Sequence, residues 1–255
     1  MLYYAYRGGS MVKKVYVMSD LHGHYKIFIQ MLQKIGFSSE DQLYLLGDCC
    51  DRGPDSFKIY HYIQGKDNIH LIKGNHEMMM RDAFIANNHK SKHTQLWNQN
   101  GGLKTFSSYH KQLQKKVFKP YDYQVLKAAF YKMMITYINS CPSFVELEVN
   151  GQQYVLTHAG INPKKGLDEQ TEEECAWVRE CFYTSKGLED KIIIFGHTPT
   201  CHMHQDSTCF DIWVDPIYKD KIGIDGGMGG YAHGQLNCLC LSTMKVYVIK
   251  PIYNR

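Results

Sequence analysis

The sequence predicts an α/β fold that opens with a βαβαβ unit and closes with antiparallel strands. Three observations carry that expectation. Short β-branched runs alternate with helix-period stretches as far as Ile72, an Asn-Gly pair separates two strand-like runs near the middle, and further strand-like apolar runs follow in the last third.

Val15 to Met18 is the first strand, and Tyr25 to Ile35 places Ile27, Phe28, Met31, Leu32 and Ile35 on one helical face. Leu43 to Leu46 is the second strand. Pro54 suits the first turn of a helix running through Phe57, Ile59, Tyr60 and Ile63, and Ile69 to Ile72 is the third strand. Such a unit gives parallel pairing with right-handed crossovers. Phe144 to Val149 and Tyr154 to Thr157 flank Asn150-Gly151, the signature of a hairpin with a type I′ turn. Lys191 to Phe195 is a buried strand, and Ile222 to Asp225, Gln235 to Leu241 and Lys245 to Ile249 read as closing antiparallel strands. Asn87 to Asn139 lacks any strand pattern and is expected to be a helical insertion over the site, spanning about 87–140 of a single domain that runs over 11–255. Met1 to Ser10, rich in tyrosine and ending Arg7-Gly8-Gly9-Ser10, reads as an extension outside the fold or an expression scar.

At 255 residues, with 44% hydrophobic and 21% charged side chains, the chain can bury a core without disulfide or metal staples. No run is long enough to span a bilayer, and the apolar stretch after Lys13-Lys14 is broken at Ser19 and Asp20, unlike a secretory leader, so a cytoplasmic location is expected. The nine cysteines are odd in number and scattered through apolar segments, which favours reduced thiols. Cys49 and Cys50 read as small apolar fillers of a tight motif, and Cys238 and Cys240 as packing residues.

The chemistry lies in five short motifs, each just after an apolar run: Asp20-Leu21-His22, Gly47-Asp48-Cys49-Cys50-Asp51-Arg52-Gly53, Gly74-Asn75-His76-Glu77, His158-Ala159-Gly160 and Gly196-His197-Thr198. The first three fall past the carboxyl ends of consecutive strands, where open α/β sheets bind ligands. Together the motifs offer enough oxygen and nitrogen donors for two adjacent metal ions. Two ions about 3.5–4 Å apart lower the pKa of a bridging water and clamp phosphoryl oxygens, which the very slow hydrolysis of phosphate esters requires. Asp48 is the best candidate for a bridging carboxylate. Asp20 and His22, alternate residues of an extended segment, can chelate one ion, and Asn75, His158 and His197 can complete the second. The mixture of imidazole, carboxylate and amide suits manganese, iron or zinc better than calcium.

The series is similar to the PPP family of metal-dependent serine/threonine phosphoprotein phosphatases, especially its compact bacterial and lambda-phage branch, over Asp20 to Thr198. The resemblance implies a metallophosphoesterase-type two-sheet β-sandwich flanked by helices, and two divalent ions, Mn2+ before Fe or Zn. It implies Asp20, His22 and Asp48 on one ion, and Asp48, Asn75, His158 and His197 on the other. It further implies that His76 protonates the leaving group with Asp51 as its orienting partner, and that Arg52 and Asn75 hold phosphate. Arg179, in Ala176-Trp177-Val178-Arg179, resembles a second phosphate-binding arginine. Independently, a histidine bonded to a carboxylate keeps a fixed tautomer and a raised pKa, and a guanidinium offers a planar fork for two phosphoryl oxygens. Glu77 fits the first turn of a helix rather than the reaction. His202 and His204 read as loop histidines, Asp225-Gly226-Gly227 as the floor of the site, and Phe130 to Tyr137 as core or lid packing.

The expected function is a dinuclear-metal phosphatase acting on phosphoserine and phosphothreonine, with phosphotyrosine also in range, by attack of a metal-bridging water or hydroxide. The alternative is a symmetrical dinucleoside polyphosphate (diadenosine tetraphosphate) hydrolase, a branch in which the position of Asp51 is typically a small residue. A third possibility is a catalytically inactive metal-containing interaction module. From Asn87 to Lys132 nine lysines face a single acidic residue, Asp122, a balance that would attract anionic substrates. A phosphorylated protein or peptide partner is expected, with no nucleic acid or membrane partner, and a monomer.

Overall fold

The computed structural model describes residues 14–114 and 120–251; Met1 to Ser10, Lys115, Lys116 and Lys119 lie outside the described residues. The chain begins β1 (Val15–Met18), α1 (Tyr25–Ile35), β2 (Gln42–Leu45), α2 (Ser56–Ile63) and β3 (Ile69–Leu71), and the three strands pair in parallel as expected. In α1 the residues Phe28, Met31, Leu32 and Ile35 are buried, and the helix stops at Gly36, whose left-handed φ of 63° lets its N–H reach the carbonyls of Leu32 and Gln33.

Helices α3 (Asn75–Ala86), α4 (Lys92–Gln99), α5 (Gly102–Gln114) and α6 (Pro120–Ser140) come next. The second half brings β4 (Phe144–Val149), β5 (Gln152–Thr157), α7 (Glu172–Trp177), α8 (Glu180–Tyr183), β6 (Lys191–Phe195), β7 (Trp213–Val214), β8 (Lys221–Gly223), β9 (Leu236–Cys240) and β10 (Lys245–Ile249). Two five-stranded sheets result, ordered β10-β9-β1-β2-β3 and β4-β5-β6-β8-β7. This is the two-sheet sandwich that the family resemblance implies.

The period-two alternation of each strand divides the core into layers. Val17, Tyr44 and Leu239 of the first sheet meet Leu147, Leu156, Ile194 and Ile222 of the second. Their neighbours Tyr16, Met18, Leu43, Leu45, Cys238 and Cys240 face the opposite way, into the helices on the first sheet. Val155, Ile193 and Phe195 back onto Phe182 of α8 and Trp213. Cys49, Cys50, Cys238 and Cys240 are all buried in the helix-side layer, as apolar fillers.

Several expectations are corrected. Ile222–Asp225 was expected as a closing antiparallel strand, whereas β8 runs parallel to β6, because the chain crosses over through a turn at Thr200–His202 before returning. It is antiparallel only to β7, a two-residue strand too short to show any periodicity. Pro54 does not enter α2, which starts at Ser56 with Asp55 as its cap. The preceding loop is held in place first, with Gly53 N–H donating to His22 O at 2.9 Å and Asp55 N–H to Gly23 O at 2.9 Å. The hairpin turn is as expected, with Asn150 and Gly151 at φ 53° and 81°.

Among the described residues, the stretch expected to be helical holds α4, α5 and α6; most of it stands on the helix side of the first sheet, and what reaches the site comes from α4, α5 and the turn between them. Phe130, Met134 and Ile138 of α6 share a core with Met80 and Phe84 of α3, and Phe84 stacks on Tyr131 at 3.9 Å. The aromatic and methionine-rich stretch is therefore core. Among the described residues no helix is long and apolar enough to cross a membrane.

Phe28 is fully buried and meets Tyr62 edge-on at 5.7 Å. Phe28→Ala should cost about 3–5 kcal/mol of stability, read as a lower urea midpoint; a cost under about 1 kcal/mol would mean that α1 does not pack as described.

Candidate dinuclear metal centre

The parallel strands end in loops that are laced together by backbone hydrogen bonds. Asp20 N–H donates to Gly47 O at 3.2 Å, His22 N–H to Asp48 O at 2.8 Å, and Gly23 N–H to Cys49 O at 3.0 Å. Asp20, His22, Asp48, Asp51, Arg52 and His197 all adopt left-handed φ, between 41° and 68°. For non-glycine residues this is costly and persists only where the surroundings enforce it. Gly47, at φ 82°, leaves room for the loop after β3, since a Cβ there would lie 2.6 Å from Gly74 Cα.

Glu77, in the first turn of α3, is the anchor of these loops. Its Oε2 accepts from Asp48 N–H at 2.8 Å and Gly74 N–H at 3.1 Å, and its Oε1 from Cys49 N–H at 2.8 Å and the Tyr60 hydroxyl at 2.7 Å. The expectation that Glu77 belongs to the helix start rather than to the reaction agrees with this arrangement.

The imidazoles are aimed by their second nitrogens. His22 Nδ1–H donates to Cys50 O at 2.9 Å, which leaves Nε2 facing Asp48 Oδ2 at 3.8 Å. His158 Nδ1–H donates to Leu46 O at 2.6 Å, and its Nε2 lies 2.8 Å from Asn75 Oδ1, 3.2 Å from His197 Nδ1 and 3.5 Å from Asp48 Oδ1. His197 Nδ1 is 3.0 Å from Asn75 Oδ1. Metal–ligand bonds of about 2.0–2.2 Å put neighbouring donor atoms about 3 Å apart, so these four side chains have the spacing of one coordination sphere. Asp48 turns one oxygen to this group and the other to His22 and to His76, whose Nε2 is also 3.8 Å away. The tight group around Asp48 Oδ2 thus contains His22 and His76. Asp20 lies on the wall of the same cavity, with its Oδ2 accepting from His197 N–H at 3.0 Å and from the Ser19 hydroxyl.

The charge balance of this donor set suits cations. Burial, then the charges of Asp20 and Glu77, push Asp48 well above the usual carboxylate range, and burial and Asp20 do the same to Asp225. Burial, with neighbouring positive groups, pushes His22 and His197 down, so both are neutral and able to donate a lone pair. His197 Nε2 is buried without a hydrogen-bond partner. Crowded carboxylates and neutral imidazoles fit the two divalent ions expected from the sequence.

Beside this cluster, His76 Nδ1–H donates to Asp51 Oδ2 at 2.6 Å. The sequence predicted a raised His76 pKa. Instead burial, then the Arg52 and His158 charges, push it well below the usual value; Arg52 Nη2 sits 3.2 Å from Nε2. Burial pushes Asp51 up to about 7. Arg52 and Arg179 are exposed on the rim of a cavity of about 330 Å³, which Asn75 also lines, and Arg179 donates to Thr198 Oγ1 at 3.2 Å. Asp225 forms part of the wall and accepts from Gly227 N–H at 2.7 Å. His202 shares a hydrogen bond with the Tyr231 hydroxyl at 2.6 Å and His204 with Asp211 O at 3.0 Å; neither joins the metal-ligand groups. Tyr60, Trp97 and Thr105 were missed from sequence. Only Trp97 left a signal, a large aromatic in a mostly polar helix.

Residues 13–215 match the family model for calcineurin-like phosphoesterases. The chain belongs to the calcineurin-like phosphoesterase family. Two groups of buried side chains, His22, Asp48 and His76, and Asp48, His158 and His197, have the spacing to hold metal ions. Among curated relatives, a symmetrical bis(5'-nucleosyl)-tetraphosphatase of Buchnera aphidicola subsp. Schizaphis graminum is 26% identical over 156 residues, covering 60% of this chain and 47% of that protein. Serine/threonine-protein phosphatase 2 of Salmonella typhimurium is 26% identical over 157 residues, covering 61% of this chain and 62% of that protein. The chain thus matches about half to three-fifths of the length of these relatives. A solved structure of a proposed diadenosine tetraphosphatase shares the fold, with a TM-score of 0.61 over 97% of both chains at 16% identity.

Glu77→Gln keeps the shape of the anchor but turns one acceptor into a donor facing backbone N–H groups. It should cost about 1–3 kcal/mol of stability and weaken divalent-ion binding about 10–100-fold, measured by calorimetric titration with Mn2+. Unchanged metal affinity would show that the loop anchor does not set the ligand geometry.

Proposed function

We propose that this phosphoesterase hydrolyses phosphate monoesters with strongly basic leaving groups, above all phosphoserine and phosphothreonine in proteins or peptides. The observation that supports this reading is the 2.6 Å contact between His76 Nδ1 and the fully buried Asp51. A serine or threonine alkoxide leaves only if it is protonated as the P–O bond breaks. A nucleoside polyphosphate leaves as a stable anion, its terminal phosphate having a second pKa of about 6, and has little use for a positioned acid.

In this reading Asp20, His22 and Asp48 would hold one divalent ion, and Asp48, Asn75, His158 and His197 the other. Two divalent ions held there, Mn2+ being our first choice, would supply the nucleophile by lowering the pKa of water and would offset the charge of the phosphoryl oxygens. Arg52, Asn75 and Arg179 hold the phosphate. When Arg52 swings from His76 Nε2 to a phosphoryl oxygen, the part of the downward push on the imidazole that comes from the guanidinium is matched by the phosphate. Nε2 is then free to carry a proton, while Nδ1–H stays on Asp51 and keeps Nε2 aimed at the leaving oxygen.

A second reading, hydrolysis of symmetrical dinucleoside tetraphosphates, is favoured by the relatives of that name. Steady-state kinetics with Mn2+ on phosphoserine, phosphothreonine and phosphotyrosine peptides and on diadenosine tetraphosphate separate the two. We expect a phosphoserine or phosphothreonine peptide to be preferred at least tenfold in kcat/KM, about 1.4 kcal/mol of transition-state binding. His76→Asn should lower kcat on the phosphoserine peptide about 10²–10⁴-fold and affect p-nitrophenyl phosphate less. A tenfold preference for the dinucleotide would establish the second reading in place of the first.

A further inference from the structure

Asp51 is held by two side chains that lie outside the five motifs and far along the chain. Thr105 Oγ1 accepts from Asp51 N–H at 2.7 Å and donates to Asp51 Oδ1 at 2.7 Å, closing a small ring around the residue. Trp97 Nε1–H lies 3.0 and 3.1 Å from the two carboxylate oxygens. Both partners are buried, and Ser56 Oγ, 3.0 Å from Thr105 Oγ1, ties the start of α2 into the same contact. With His76 on Oδ2, these donors fix the plane of a carboxylate that would otherwise swivel about its terminal torsion.

The same turn braces the backbone. Asp51 and Arg52 sit at φ 68° and 62°, and Arg52 N–H points to Gly101 O at 3.4 Å. Gly101, at φ 104°, lies so close that a Cβ there would be 2.8 Å from Arg52 N. Gly102 in turn packs flat against the Trp97 indole, with no room for a side chain. Helices α4 and α5 and the turn between them therefore grip Asp51 by its side chain, its backbone and its neighbour.

We propose that Trp97 and Thr105 are positioning residues for proton delivery to the leaving group, acting through Asp51 on His76. The proposal rests on the reading of His76 as the leaving-group acid. In the step concerned, the water oxygen forms the new P–O bond while the P–O bond to the leaving group breaks, its electron pair staying on the leaving oxygen. That oxygen takes the proton from His76 Nε2, and the proton the water gives up restores it. An imidazole whose carboxylate partner has turned presents Nε2 at the wrong place, and a misplacement of about 1 Å can cost about 100-fold.

The test uses Trp97→Phe, Thr105→Val and Thr105→Ser in the full chain with Mn2+. For Trp97→Phe and Thr105→Val we expect kcat on a phosphoserine peptide to fall about 10–100-fold with KM within about threefold, and kcat on p-nitrophenyl phosphate, whose phenolate leaves readily, to fall less than about threefold. Thr105→Ser keeps the hydroxyl and should stay within about threefold of the parent on both substrates. Independently of turnover, the downfield Nδ1–H resonance of His76, assigned by its loss in His76→Asn, should shift or broaden in Trp97→Phe and Thr105→Val but not in Thr105→Ser. Equal losses on both substrates, or no loss together with an unmoved resonance, would overturn the proposal. If His76→Asn itself shows no leaving-group dependence, the acid reading fails, and the resonance alone then decides whether Trp97 and Thr105 position the pair. Trp97→Phe retains most of the ring volume, so it carries the test if Thr105→Val fails to fold.

Discussion

Three backbone N–H groups and one phenol converge on the Glu77 carboxylate, and the rest of the site is organised around that meeting point. The residue sits at the start of α3, where the helix dipole favours negative charge, so its burial is doubly compensated. Through it the loop after β2, which carries Asp48, is joined to the loop after β3, which carries Asn75 and His76. Asp48 Oδ1 answers by accepting His76 N–H at 3.1 Å. Donors on two separate loops thereby behave as one rigid piece, which is what dinuclear chemistry at fixed spacing demands.

The second dependency is on the seam between the sheets. His158 and His197 end strands of the second sheet, while Asp20, His22, Asp48 and Asn75 belong to the first. The hydrogen bonds from His158 Nδ1–H to Leu46 O and from His197 N–H to Asp20 Oδ2 cross that seam. The apolar layer of Val17, Tyr44, Leu46, Leu156 and Ile194 sets the distance they span. Core packing and ligand geometry are in this sense one problem: what keeps the sheets in register also keeps the imidazoles within reach of Asp48.

Much of this was legible in the residues because its signals are local. The bounds of β1, α1, β4, β6 and β10 follow from runs and periods that need no tertiary knowledge, and the Asn150-Gly151 turn follows from the two positive φ values its geometry requires. The site residues could be read because each motif ends a strand. What could not be read depends on distance along the chain. The direction of β8 is set by a crossover, β7 is too short to carry a pattern, and the downward push on His76 comes from its burial and then from an arginine, neither of which the sequence reveals. How the helical stretch bears on the site was not legible for the same reason. Its aromatic residues fill a core, while the contacts that bear on the site come from Trp97, Thr105 and one short turn.

The left-handed backbone at Asp20, His22, Asp48, Asp51, Arg52 and His197 has a consequence for the whole molecule. Each such residue costs on the order of 1–3 kcal/mol, so folding surrenders stability at the very loops where ligands converge. Anything that binds the folded site and not the unfolded chain returns part of it, about 2.7 kcal/mol at a hundredfold excess over Kd. On the dinuclear reading proposed above, metal supply then becomes a determinant of the lifetime of the fold as well as of turnover. Under scarcity the chain should be lost to unfolding and proteolysis sooner than its amino-acid composition alone would suggest.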